Sequence, residues 1–179
     1  MKLIILDQTG VINQSSDAFI KTPEEWIPIP GSLDAIARLT HSGYRVVIAT
    51  NQSGIGRGLL DMATYNAIND KMYKAVNQAG GRIDAIFFCP HTSVDKCSCR
   101  KPATGLLDEI MQRYGVNLKN APTVGDSLKD LQAAAAVGAI PMLVLTGNGQ
   151  TTRIAKEMPA GTQIFENLAA AADALVGEE

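Results

Sequence analysis

Met1-Lys2-Leu3-Ile4-Ile5-Leu6-Asp7-Gln8-Thr9-Gly10 opens the chain. Four apolar residues run directly into a carboxylate. A run this short and this continuous reads as a buried strand over residues 3–6. The strand then holds Asp7 firmly at its carboxyl end, and Gly10 permits a sharp departure.

Working outward, apolar runs alternate with amphipathic stretches. Residues 32–41 read as a helix, with Ser32 as its cap, Leu33, Ile36 and Leu39 at helical spacing, and Gly43 after its end. Residues 45–49 read as a second strand. Asp61 caps a long helix to Gln78, closed by Gly80-Gly81. Residues 83–88 form a third strand, and 89–103 a loop rich in Cys, Pro and Ser. Thr104 caps a helix to Tyr114, stopped by Gly115. Residues 122–124 are a short strand, 127–137 a helix and 140–145 a strand. The polar, Gly/Thr-rich stretch 146–162 is expected to be a mobile surface segment. Asn167 caps the last helix, and the acidic tail is expected to fray. Strands alternating with helices predict an α/β fold: a Rossmann-like three-layer sandwich with a mainly parallel central sheet. One domain is expected over residues 1–179.

The bulk composition narrows the functional classes. Hydrophobic residues make up 46% of the chain, enough for a real core. The 16 basic and 18 acidic residues leave a net charge of -2, which argues against a nucleic-acid or acidic-membrane surface. The first apolar run is too short for a signal-peptide core, and no segment approaches the ~18 apolar residues of a membrane span. A cytoplasmic monomer is expected.

In open α/β sheets, ligands sit beyond the carboxyl ends of the strands. Asp7, Thr50-Asn51, the loop from Cys89 to Lys101, and Gly125-Asp126 all fall at such ends. Asp7 suits a nucleophile toward phosphorus, a magnesium ligand, or a turn residue after a strand. Asp126 suits a helix cap or a second carboxylate for Mg²⁺. Thr50 with Asn51-Gln52-Ser53-Gly54 offers a hydroxyl, an amide and free N–H groups as an anion cradle. Arg100 and Lys101 can hold phosphate, or can be solvated surface charges.

The most specific local signal is Cys89-Pro90-His91, five residues, then Cys97-Ser98-Cys99. Three clustered cysteines are a poor disulfide framework. With His91 they supply four ligands, enough to close a structural, tetrahedral Zn²⁺ site. Such a site would stiffen the loop presenting Arg100 and Lys101. His41 and Trp26 read as a helix-end surface residue and a packing anchor.

In order along the chain, Leu6-Asp7-Gln8-Thr9-Gly10, Thr50, Lys101 and Gly125-Asp126-Ser127 with Asp130 resemble the haloacid-dehalogenase-like phosphotransferases. The segment from Thr50 to Gly58, Cys89-Pro90-His91 and Cys97-Ser98-Cys99-Arg100-Lys101-Pro102 resemble its small zinc-loop group, which includes histidinol and heptose-bisphosphate phosphatases. Ser53 and Arg57 favour the heptose branch. The resemblance implies no large cap domain, a small phosphorylated sugar as substrate, and removal of its C7 phosphate through an aspartyl-phosphate on Asp7. It implies Mg²⁺ held by Asp7, the carbonyl of Thr9 and Asp126, and phosphate held by Thr50 and Lys101. It places Asn51, Gln52, Ser53, Arg100 and Ser127 around the substrate, with a product used in envelope polysaccharide assembly.

One position departs from that family. An Asp two residues after the nucleophile normally protonates the leaving group and activates water. Here it is Thr9, as in the Asp-x-Thr-Gly pattern of P-type ATPases. Thr cannot serve as an acid–base group near neutral pH, and losing one costs ~10²–10⁴-fold. Ser15 likewise stands where the heptose branch has an acid. Alternative readings are a non-catalytic phosphate-binding module and a histidinol-phosphate or nucleic-acid-end phosphatase.

Overall fold

The computed structural model describes residues 1–177; the acidic tail expected to fray lies outside the described residues. In chain order the elements are β1 (Lys2–Leu6), α1 (Ser32–His41), β2 (Tyr44–Asn51), α2 (Ser53–Gly56), α3 (Met62–Gln78) and β3 (Ala85–Cys89). They continue with α4 (Gly105–Tyr114), β4 (Pro122–Gly125), α5 (Leu128–Ala136), β5 (Ile140–Val144), α6 (Gly149–Thr152), β6 (Gln163–Phe165) and α7 (Leu168–Val176). The six strands form one sheet in the order β3-β2-β1-β4-β5-β6, and every pairing is parallel. The order reverses between β1 and β4, so a crevice opens there beyond the carboxyl ends of both strands.

The two-residue period of β1 builds two cores. Ile4 and Leu6 enter one with Trp26, Ile36, Leu39 and Met72 of the α1 and α3 side. Leu3 and Ile5 enter the other with Leu106, Ile110 and Ala134 of α4 and α5. Both faces of the strand are therefore buried, which is why its sequence is an unbroken apolar run. Trp26 is the packing anchor expected, at 1% exposure, and His41 is exposed at the end of α1.

Several helix starts follow side-chain capping. Asp61 accepts from Thr64 N at 2.8 Å, and Asn167 accepts from Ala170 N at 2.9 Å. Ser127 and Asp130 form a capping box on α5. Ser32 is not a cap: Gly31 (φ 87°) takes that place, and the Ser32 hydroxyl donates to Val11 O at 2.8 Å. Thr104 sits at the start of α4 but makes no capping bond; its hydroxyl donates to Asp108.

The stretch 146–162 differs most from expectation. It is tied to the strand ends rather than lying loose on the surface. Thr146 Oγ1 donates to Gly10 O at 2.7 Å, and Thr152 Oγ1 to Asp126 O at 2.8 Å. Gly10 (φ 87°) and Gly147 (φ 56°) meet here, and a Cβ on either would overlap Asp126 Oδ2.

Candidate active site

β1 delivers Asp7, whose N–H donates to Val124 O of β4 at 2.9 Å. β4 delivers Asp126, and α5 adds Asp130 from its first turn. One oxygen from each of these carboxylates lies within 4.8 Å of the others. Lys101 joins this cluster, 5% exposed and no solvated surface charge. Its Nζ lies 3.4 Å from Asp7 Oδ1, 2.5 Å from Asp130 Oδ1 and 2.7 Å from Ala49 O.

Like charges this close and this buried shift their protonation. Burial, then Asp130, pushes the Asp7 carboxyl up to about 6, against the pull of Lys101, the Gln8 N–H and the Thr50 hydroxyl. Burial, then Asp7 and Asp130, pushes Asp126 up to about 7. Burial alone would lower the Lys101 ammonium, but Asp130 and Asp7 outweigh it and its pKa rises.

The donor set fits a divalent cation. Three carboxylates face one ammonium, leaving an excess of negative charge. Asp130 is already spoken for: Oδ1 holds Lys101, and Oδ2 accepts from Ser127 N at 3.1 Å and Ser127 Oγ at 2.9 Å. Asp126 Oδ2 accepts from Asn148 N at 2.9 Å, leaving Oδ1 open. Asp7 and Asp126 are therefore the carboxylates available to Mg²⁺.

The cleft above this cluster measures about 280 Å³. Asp7, Thr9, Thr50, Asn51, Ser53, Arg100, Lys101, Asp126 and Ser127 all line it, joined by Phe19, Lys129, Asp130 and Asn148. Gln52 is not in this lining. Its Nε2 turns inward to Thr50 Oγ1 at 3.2 Å and to Gln8 Oε1 at 3.5 Å. Gln8 is itself buried, donating to Asn69 and accepting from Tyr65 OH. Thus a neutral amide network backs the Thr50 hydroxyl. At the rim, burial and the Arg100 guanidinium lower the Lys129 pKa.

A second cluster abuts the first. Cys89 Sγ, His91 Nδ1, Cys97 Sγ and Cys99 Sγ lie within 4.8 Å of one another. Cys89–His91, Cys89–Cys97, Cys99–Cys97 and Cys99–His91 separations are 3.6, 3.6, 3.6 and 3.3 Å. Tetrahedral zinc with these ligands has edges of roughly 3.5–3.8 Å. Cys89 and Cys99 come closer and are joined as a disulfide, leaving Cys97 free, where the sequence predicts three zinc thiolates. Asn51 connects this loop to the first cluster: Lys101 N donates to its Oδ1 at 3.0 Å, and its Nδ2 donates to Lys101 O at 3.1 Å.

Comparison with known proteins agrees with this geometry. Residues 98–171 match the HAD-hydrolase-like family. The chain is 58% identical over 178 residues to the D-glycero-beta-D-manno-heptose-1,7-bisphosphate 7-phosphatase of Bordetella bronchiseptica, covering 99% of each. The chain belongs to the haloacid-dehalogenase-like phosphatases. As a member of that family it is a phosphomonoester hydrolase. Another of its relatives, the enzyme of the same name from Pseudomonas aeruginosa, is 51% identical over 97% of each chain. A solved structure of the B. bronchiseptica D,D-heptose 1,7-bisphosphate phosphatase, complexed with magnesium and phosphate, superimposes with a TM-score of 0.98 over all of both chains. That of Burkholderia thailandensis, 49% identical, covers 98% of this chain and 99% of its own with a TM-score of 0.79.

Three residues of the site carry little signal in the sequence, whereas Asp130 is marked by the resemblance and joins the carboxylate cluster. Lys129 and Asn148 resemble any surface polar residue. Phe19 sits among polar residues with no periodicity to mark it.

Proposed function

We propose that the protein removes the C7 phosphate of D-glycero-β-D-manno-heptose 1,7-bisphosphate, supplying envelope polysaccharide synthesis from the cytoplasm as a monomer. One haloacid-dehalogenase-like domain spans the chain, with a zinc loop at residues 89–102. The observation that carries the reading is the convergence of Asp7, Asp126 and Lys101 at the mouth of the β1–β4 crevice. The names and bound ligands of the relatives support the substrate and the metal.

The carboxylate of Asp7 attacks phosphorus in line, and the P–O bond to the sugar breaks. Lys101 and the Thr50 hydroxyl hold the phosphoryl oxygens as charge develops. Asp7, the Thr9 carbonyl and Asp126 would hold Mg²⁺, which would supply the remaining charge neutralisation. No carboxylic acid stands at position 9, so the departing sugar oxygen takes its proton from water. A second water hydrolyses the aspartyl-phosphate, releasing phosphate and free Asp7. Arg100, with Asn51, Ser53 and Ser127, orients the substrate.

The thiolate–histidine cluster is assigned to structural Zn²⁺. A disulfide accounts for two of its four atoms. It gives no reason for Cys97 Sγ and His91 Nδ1 to converge on the same point.

Phosphate release from heptose 1,7-bisphosphate and from histidinol phosphate, each with and without Mg²⁺, tests the reading. Metal-dependent release from the heptose ester, well above that from histidinol phosphate, is expected. Binding of phosphate without release from either ester would point instead to the non-catalytic module that Thr9 suggests.

A further inference from the structure

Phe19 is the one apolar side chain in a cleft otherwise lined by charged, hydroxyl and amide groups. Its backbone is unusual. A φ of 64° places a bulky residue in the left-handed region, which sterics disfavour and which persists only when the surroundings enforce it.

The surroundings do enforce it. Phe19 N donates to Ser16 O at 3.1 Å, closing the turn before it. Lys21 Nζ donates to Ala18 O at 2.9 Å and to Phe19 O at 3.4 Å, tying down both carbonyls. Lys21 is fixed in turn by Glu25, through its backbone N–H at 2.7 Å and its ammonium at 3.6 Å. The Arg57 guanidinium stacks on the ring, 5.6 Å from its centroid. Behind the ring is the backbone of Gly54, where an added Cβ would touch it at 3.5 Å. A loop that only needed to turn would place Gly or Asn here. This one spends a strained position on an aromatic ring and braces it at the cleft.

We propose that Phe19 is a specificity residue: its ring is the platform on which the C–H face of the sugar bearing the phosphate rests, with Arg57 holding the ring in place. Sugar C–H groups carry slight positive charge and match the negative face of an aromatic ring. This rests on the sugar-phosphate reading of the site.

The test compares kcat/KM for the heptose bisphosphate with that for acetyl phosphate, which has no sugar. In Phe19→Ala the ratio falls about tenfold, through KM for the sugar ester. Phe19→Tyr, keeping the ring, stays within about twofold of the parent, and Phe19→Leu, keeping bulk without a π face, falls between. A sugar preference that survives both Phe19→Ala and Phe19→Leu, or an equal loss in Phe19→Tyr, overturns the proposal alone. If the parent releases phosphate from the heptose bisphosphate no better than from histidinol phosphate, the substrate reading itself fails and takes the proposal with it.

Discussion

The carboxylate cluster and the thiolate cluster abut, yet they are assembled in opposite ways. Cys89, His91, Cys97 and Cys99 come from eleven consecutive residues and gather on a half-exposed loop. Asp7 and Asp126 come from two strands far apart in the chain and meet only because β1 pairs with β4. As the proposed zinc site, the local cluster offers four ligands and would leave no coordination position open. The non-local cluster sets two carboxylates, Asp7 and Asp126, below an open cleft. The first is suited to holding structure, the second to chemistry. The Asn51–Lys101 backbone clamp is where they meet.

The division of labour can be broken from either side. The largest effect is expected from Asp7→Asn, which removes the proposed nucleophile. Turnover of the heptose ester should fall about 10⁴-fold or more, with zinc content unchanged by elemental analysis. Retained activity would move the nucleophile elsewhere. Next is Thr9→Asp, which restores a group able to protonate the leaving oxygen. It should raise kcat at least about tenfold. No gain from a fully active parent would show that position 9 has no acid–base role here.

Cys97→Ser attacks the other cluster. The parent should carry about one zinc per chain and the variant close to none. The melting temperature should drop by roughly 5–10 °C. A zinc-free parent would instead leave the Cys89–Cys99 disulfide as the loop's only cross-link.

The smallest effect concerns pH. The folded-state pKa values of Asp7 (about 6) and Asp126 (about 7) both lie above the ordinary 3.8. Without metal, their contribution to stability is therefore fully present below about pH 4 and is lost as pH rises through 6 to 7. Mg²⁺ must displace the same protons. The rise in melting temperature on adding Mg²⁺ should thus be larger at pH 8 than at pH 5, by scanning calorimetry. Equal shifts at both pH values would place the metal off these carboxylates.

The two clusters also differ in what a sequence reveals of them. The thiolate loop is legible because its ligands are neighbours and their types are rare. Asp7 is legible because an apolar run leads into it, and Asp126 because Gly125-Asp126-Ser127 stands between a short strand and a helix. Lys101 is legible as a phosphate-holding candidate but its burial is not, since burial of a lysine depends on carboxylates from other elements. Asn148 and Thr146 are hidden by composition. A Gly/Thr-rich segment looks the same whether it meets water or uses its N–H and hydroxyl groups on Asp126 and Gly10. β6 is three residues long with little burial, so no alternation announces it. Ser32 misled because a helix can start from a glycine in the left-handed region while the adjacent serine bonds elsewhere.

The pairing of Leu6 with Val124 has a further consequence. Adjacent strands are spaced by backbone hydrogen bonds, at roughly 4.8 Å, whatever their side chains. The proposed nucleophile, Asp7, and the proposed metal carboxylate, Asp126, each follow one of these strands, so peptide geometry acts as their ruler. Core substitutions can loosen the fold without rescaling that gap.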